Sequence, residues 1–198
     1  STLFPYTTLF RSMRNAVEFL TGKHQDRRLR EVTLALSAEI ALMTVMAETS
    51  ASARKKVEVA LDSGKATEHF SKMVSVLGGP ADFVERMDEH LQPAPIVRDV
   101  LAGGRGTIAE INTRGFGMAV VALGGGRATP TDAIDHRVGF DRLLGLGAEV
   151  EPTTPIARIH AADEASAADA EARLRSAYFV GSGAPKFALI ADRITATE

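Results

Sequence analysis

Cysteine is missing altogether from this 198-residue sequence. Disulfides, thiolate nucleophiles and cysteine metal sites are therefore excluded, and the composition fits a reducing compartment. Neither sign of charge dominates: 23 Lys and Arg stand against 25 Asp and Glu, a formal net charge of -2. So balanced a chain lacks the field that draws in nucleic acid. Long hydrophobic runs are missing as well. The nearest, Leu34–Ala47, is broken by Ser37, Glu39 and Thr44, and at that length a buried core helix is expected instead of a membrane span. These absences lead to the expectation of a soluble, cytoplasmic protein without membrane or nucleic-acid partners. Three catalytic signatures are also lacking: Gly-x-Ser-x-Gly, a strand-to-helix GxGxxG loop, and a Walker loop. Gly22-Lys23 and Gly64-Lys65 lack the upstream glycine and the following Ser or Thr that a Walker loop needs. Both read as helix ends, where a lysine suits the carbonyl dipole.

Ser1–Ser12 reads STLFPYTTLFRS and has neither helical periodicity nor the pattern of a signal peptide. From Thr2 onward it resembles the in-frame translation of a short-read sequencing adapter. On that reading residues 1–12 are not native and the protein enters near Met13 or Arg14.

From Arg14 to about Leu91 the pattern is helical. Arg14–Leu20 is a short piece stopped by Gly22. Asp26 is placed to cap a long helix over Arg27–Glu48, with Leu29, Val32, Leu36, Ile40, Met43 and Met46 at 3.6-residue spacing. Leu34, Ala41, Leu42 and Val45 add a second apolar face, so this helix is expected to be the core of its segment, buried on most sides. Ser50 or Ser52 would cap the next helix, whose inner face is Val57, Ala60 and Leu61 and which ends at Gly64. Ala66–Leu77 follows with Phe70, Met73, Val74 and Leu77 as its stripe. Gly78-Gly79-Pro80 then opens a short helix running to about Leu91.

Past Pro93 and Pro95 the chain reads as short strands: Ile96–Leu101, Thr107–Asn112, Met118–Leu123, Ile156–His160 and Lys186–Ile190. Glycine turns separate them. One alanine-rich amphipathic helix, Glu164–Tyr178 capped by Asp163, interrupts the series. The fold class is α+β: a helical layer over 13–92, then a strand-rich domain over 93–198 with one amphipathic helix.

The most distinctive stretch is Gly115–Phe140, GFGMAVVALGGGRATPTDAIDHRVGF. Gly124, Gly125 and Gly126 can turn amides toward an anion, with Arg127 adding a charged fork, which makes these four residues an anion-loop candidate. Alternatively, the glycines serve a tight reversal and close backbone packing. Asp132, Asp135 and His136 lie within five positions and invite a metal or general-base reading, but they match no zinc spacing. A turn held by aspartates that cap nearby amides, with Arg137 pairing to either one, accounts for them as well. His160, at a strand end without an identified partner, reads as structural. His24, His69 and His90 read as solvated. No metal site, cofactor or catalytic constellation emerges from these residues alone.

Gly115–Phe140 resembles the C-terminal domain of bacterial thymidine phosphorylases, the pyrimidine-nucleoside phosphorylase family. The likeness extends to Ala16–Gly22, Leu61–Ala66, Gly79–Glu85, Arg114–Val121, Gly124–Arg127, Ile134–Phe140 and Ile159–Glu164, in the family's order. It covers roughly residues 14–195. The resemblance implies that the chain is part of an α/β enzyme performing reversible phosphorolysis: phosphate attacks the anomeric carbon of thymidine, releasing thymine and 2-deoxyribose 1-phosphate. Phosphate is then a co-substrate, and no cofactor is implied. The family's phosphate cradle, Lys-x-Ser-Thr-Gly-Gly, is not in this sequence. The family's Arg and Lys that hold the base, and its helical dimerisation domain, have no counterpart either. No catalytic or substrate-binding role therefore carries over to a residue of this chain. The resemblance also implies a homodimeric parent enzyme, an inactive fragment, and a C-terminal domain of hammerhead or hybrid-barrel character. In the family the helices of 13–92 pack on a parallel sheet, so the Arg27–Glu48 helix is expected to expose an apolar face in isolation. Two other readings stay open: a non-enzymatic oligomerisation or carrier module, and a phosphorylase of another nucleoside. A carrier would need a lysine at its hairpin tip, where this sequence has Arg127.

Overall fold

The computed structural model describes residues 9–183 and 188–194. It is an α+β structure with two compact units, one formed by 14–90 with 188–194 and the other by 9–13 with 91–183.

Helix α1 spans Leu9–Leu20 and enters the helical unit at Arg14, and α2 of that unit spans Arg27–Met43. Residues 1–8 of the adapter-like stretch lie outside the described residues, whereas Leu9–Ser12 open α1, where no helical periodicity is legible. Asp26 caps α2 as expected, its carboxylate accepting from the Leu29 amide at 2.8 Å. The face that α2 buries differs from the expected one. Leu34, Ala38 and Ala41 are buried, while Leu36 is 58% exposed, Ile40 61% and Met43 82%. Leu34 packs with Phe19 and Leu61, and Ala38 and Ala41 pack with Ala47 and Ala53. Small side chains on this face let α3 approach closely, and the larger stripe is left unpartnered.

The helix α2 also stops earlier than Glu48. Thr44 is its C-cap, the Val45 amide donates to Leu42 O at 3.0 Å and the Met46 amide to Ala41 O at 2.9 Å. This is a Schellman closure, and it places Val45 at φ 57.

Helix α3 (Ser50–Asp62) is capped by Thr49, one residue before the expected serines, in a capping box with Ser52. It buries Ala53 and Leu61, with Val57 and Ala60 half-buried. Helix α4 (Lys65–Val76) buries Val74 alone of its expected stripe; Met73 and Leu77 are exposed. Gly78 and Gly79 close α4 by donating to Ser75 O and Val74 O. Beyond Pro80 the chain turns, and only Met87–His90 is helical (α5), with Phe83 and Met87 buried.

The second unit holds two antiparallel three-stranded sheets. One is ordered β1-β5-β3, with β1 Ile96–Leu101, β3 Gly139–Asp141 and β5 Pro155–Ala161. The other is ordered β4-β2-β6, with β2 Gly106–Ile111, β4 Glu149–Val150 and β6 Tyr178–Gly181. Helix α7 (Glu164–Ala177) lies against β5 and β1 and contacts α6 (Thr113–Ala122). One core of Val100, Ile108, Val138, Ile156, Ile159, Leu174 and their neighbours joins both sheets to α7. Asp163 caps α7 in a capping box with Ser166, as the alanine-rich pattern predicts.

Met118–Leu123, expected as a strand, is instead the second half of α6 and its C-cap. A short run of Ala, Val and Leu satisfies either periodicity. Here the Asn112 side chain accepts from the Gly115 amide at 2.8 Å and starts a helix. Of the Lys186–Ile190 strand, 186–187 lie outside the described residues, and 188–190 form no strand.

Candidate functional site

The glycine run Gly124-Gly125-Gly126 closes helix α6. With Leu123 as C-cap, the Gly124 amide donates to Val121 O at 2.9 Å and the Gly125 amide to Val120 O at 3.0 Å. Gly124 takes φ +85 to do so, and a Cβ on Gly126 would sit 2.9 Å from Val121 Cγ2. Two of the three amides offered for an anion are thus already donated to helix carbonyls. The loop also stands at the negative end of the helix dipole, where an anion is disfavoured. This geometry matches the reversal-and-packing alternative. Arg127 is exposed, and its Nε donates to Asp132 O at 3.1 Å.

Asp132 and Asp135 knit the following turn together. Asp132 Oδ2 accepts from the amides of Ala128 and Thr129, each at 2.9 Å. Asp135 accepts from the amide, Nε and Nη2 of Arg137 at 2.8 to 2.9 Å, while its own amide donates to Gly124 O. Hydrogen bonds from Arg137 hold the Asp135 carboxyl below its ordinary pKa, and the Thr129 hydroxyl does the same for Asp132. His136 is exposed beside them. Among the described residues, no group of three or more His, Asp or Glu is placed to hold a metal ion.

His160 has a partner that its sequence position did not reveal. It is only 5% exposed, and its Nε2 lies 3.1 Å from Asp141 Oδ2. Strand register explains the meeting: β3 pairs with β5 so that Gly139 faces His160 and Asp141 faces Arg158. Arg158 in turn grips Asp99 of β1 with two bonds, at 2.6 and 3.0 Å. The row Asp99–Arg158–Asp141 therefore crosses all three strands of this sheet, with His160 diagonal to it. The Arg158 guanidinium holds the Asp99 carboxyl below its usual range. Such pairings depend on register, and no spacing in the sequence betrays them.

In the helical unit an open depression is lined by Thr21, Gly22, Gln25, Asp62, Gly64 and Thr67. Its polar groups already serve the fold. Arg30 donates to both Asp62 oxygens, Gln25 to Phe19 O, and Thr67 to Leu20 O. Gly22 and Gly64 sit there at positive φ as helix punctuation, as their Gly-Lys context predicts. His90 is exposed, as expected, and also bonds Asp82 at 2.8 Å and stacks on Phe83.

The Schellman-closed α6, the capped α7 and most of the core of the second unit fall within one stretch. Residues 107–180 match the family model described as the pyrimidine nucleoside phosphorylase C-terminal domain. That stretch is similar to the C-terminal domain of this phosphorylase family. The matched segment begins in β2 and ends in β6, the two strands that pair antiparallel at Thr107 and Gly181 and again at Ile111 and Tyr178. The Gly124–Arg127 closure, the Asp132–Arg137 turn and the His160–Asp141 pair all lie inside the matched stretch.

Proposed function

We propose that this chain is the C-terminal portion of a thymidine phosphorylase, whose parent enzyme converts thymidine and phosphate reversibly into thymine and 2-deoxyribose 1-phosphate. The family match over 107–180 carries the reading. The ordered likeness of the helical segments before it gives further support. In the parent reaction a phosphate oxygen attacks the anomeric carbon while the bond to the pyrimidine nitrogen breaks, and the base leaves with the electron pair. That chemistry needs a phosphate cradle and donors for the charge developing on the departing base. In this chain Gly124, Gly125 and Arg127 are occupied with the fold, which favours a scaffold role for the loop. The chain by itself is accordingly inactive. Phosphate and nucleoside bind elsewhere in the parent, a cytoplasmic homodimer that needs no cofactor. The unpartnered stripe of α2 fits helices that cover a larger sheet in the parent.

The test is thymine release, followed by ultraviolet absorbance, from thymidine and phosphate. We expect none from this chain alone and turnover from a polypeptide that also carries the upstream cradle. Turnover by the chain alone would overturn the scaffold reading. A parent enzyme that prefers uridine or a nucleoside monophosphate would overturn the choice of substrate.

A further inference from the structure

We draw no further inference here: the strongest candidate, the exposed apolar stripe of α2 formed by Leu29, Leu36, Ile40 and Met43, carries none because nothing in the structure shows what covers it.

Discussion

Tyr178 begins a four-residue strand, yet its hydroxyl reaches two carbonyls of the core, Leu144 O at 2.9 Å and Ile156 O at 3.1 Å. Its ring meets Phe116 edge-on, with centroids 5.0 Å apart. Tyr178→Phe keeps the packing and removes the hydroxyl donor from Leu144 O, while Ile156 O keeps the Leu144 amide at 2.9 Å, so it should cost about 1–2 kcal/mol in denaturant unfolding. Burial also pushes the phenol up to about 12. Since the folded value lies above the unfolded one of about 10, the stabilisation from this group is complete below pH ~10. It is lost as pH rises through about 12. A pH series of unfolding midpoints should show that loss in the wild type and not in Tyr178→Phe. Val45 makes the opposite case. A β-branched residue at φ 57 is strained, and at 87% exposure it gains little from burial. Val45→Gly should therefore stabilise the helical unit by about 1 kcal/mol, read as a higher denaturation midpoint. Loss of stability in that variant would mean that Val45 makes contacts that outweigh its strain.

Helix ends and helix faces fared differently. Asp26, Asp163 and Gly64 mark ends in the sequence because caps act locally, through a side chain or a φ within three residues of the terminus. Asp163→Ala should lower the unfolding midpoint, whereas Asp163→Asn should lower it much less because an amide still caps. Hydrogen bonds from the Ser166 amide hold the Asp163 carboxyl low. Its contribution is therefore present above about pH 3.9, the unfolded value, and fades as pH falls through the lower folded one. Asn should lack that acid dependence, which an acid-unfolding series would reveal. The face of α2 was not legible in the same way. Two apolar stripes fit one helix, and periodicity alone does not rank them. Alanines won the buried side because close approach of α3 favours small residues, which leaves Leu36, Ile40 and Met43 in solvent. The Met118–Leu123 run went to helix for a related reason, since Asn112 and Gly124 bracket it with a start and a stop.

At the scale of the molecule, 14–90 with 188–194 and 9–13 with 91–183 are two compact units. The strand-rich unit owns a continuous core, from Val100 to Tyr178. Among the described residues, the helical unit has two small clusters and an exposed stripe of Leu36, Ile40 and Met43. Isolated protein should therefore bind a hydrophobic dye and self-associate. Leu36→Lys with Ile40→Glu and Met43→Lys should reduce both, with an unfolding midpoint changed by roughly 0.5 kcal/mol or less, because exposed positions contribute little. Dye binding unchanged by the triple variant would place the exposed apolar surface elsewhere.

The sequence by itself determined what is local: helix starts at Asp26 and Asp163, glycine stops, the strands Ile96–Leu101 and Ile156–His160, and the likeness of 107–180 to a phosphorylase C-terminal domain. Each depends on residues a few positions apart, whose side chains and dihedrals decide the matter without help. Only the tertiary structure decided the rest. It chose the buried stripe of α2, set Gly124–Gly126 as a helix closure, and brought Asp141 to His160 across 19 positions of sequence. Those outcomes depend on which surface arrives opposite and in what register, and a one-residue slip between β3 and β5 would have paired other side chains.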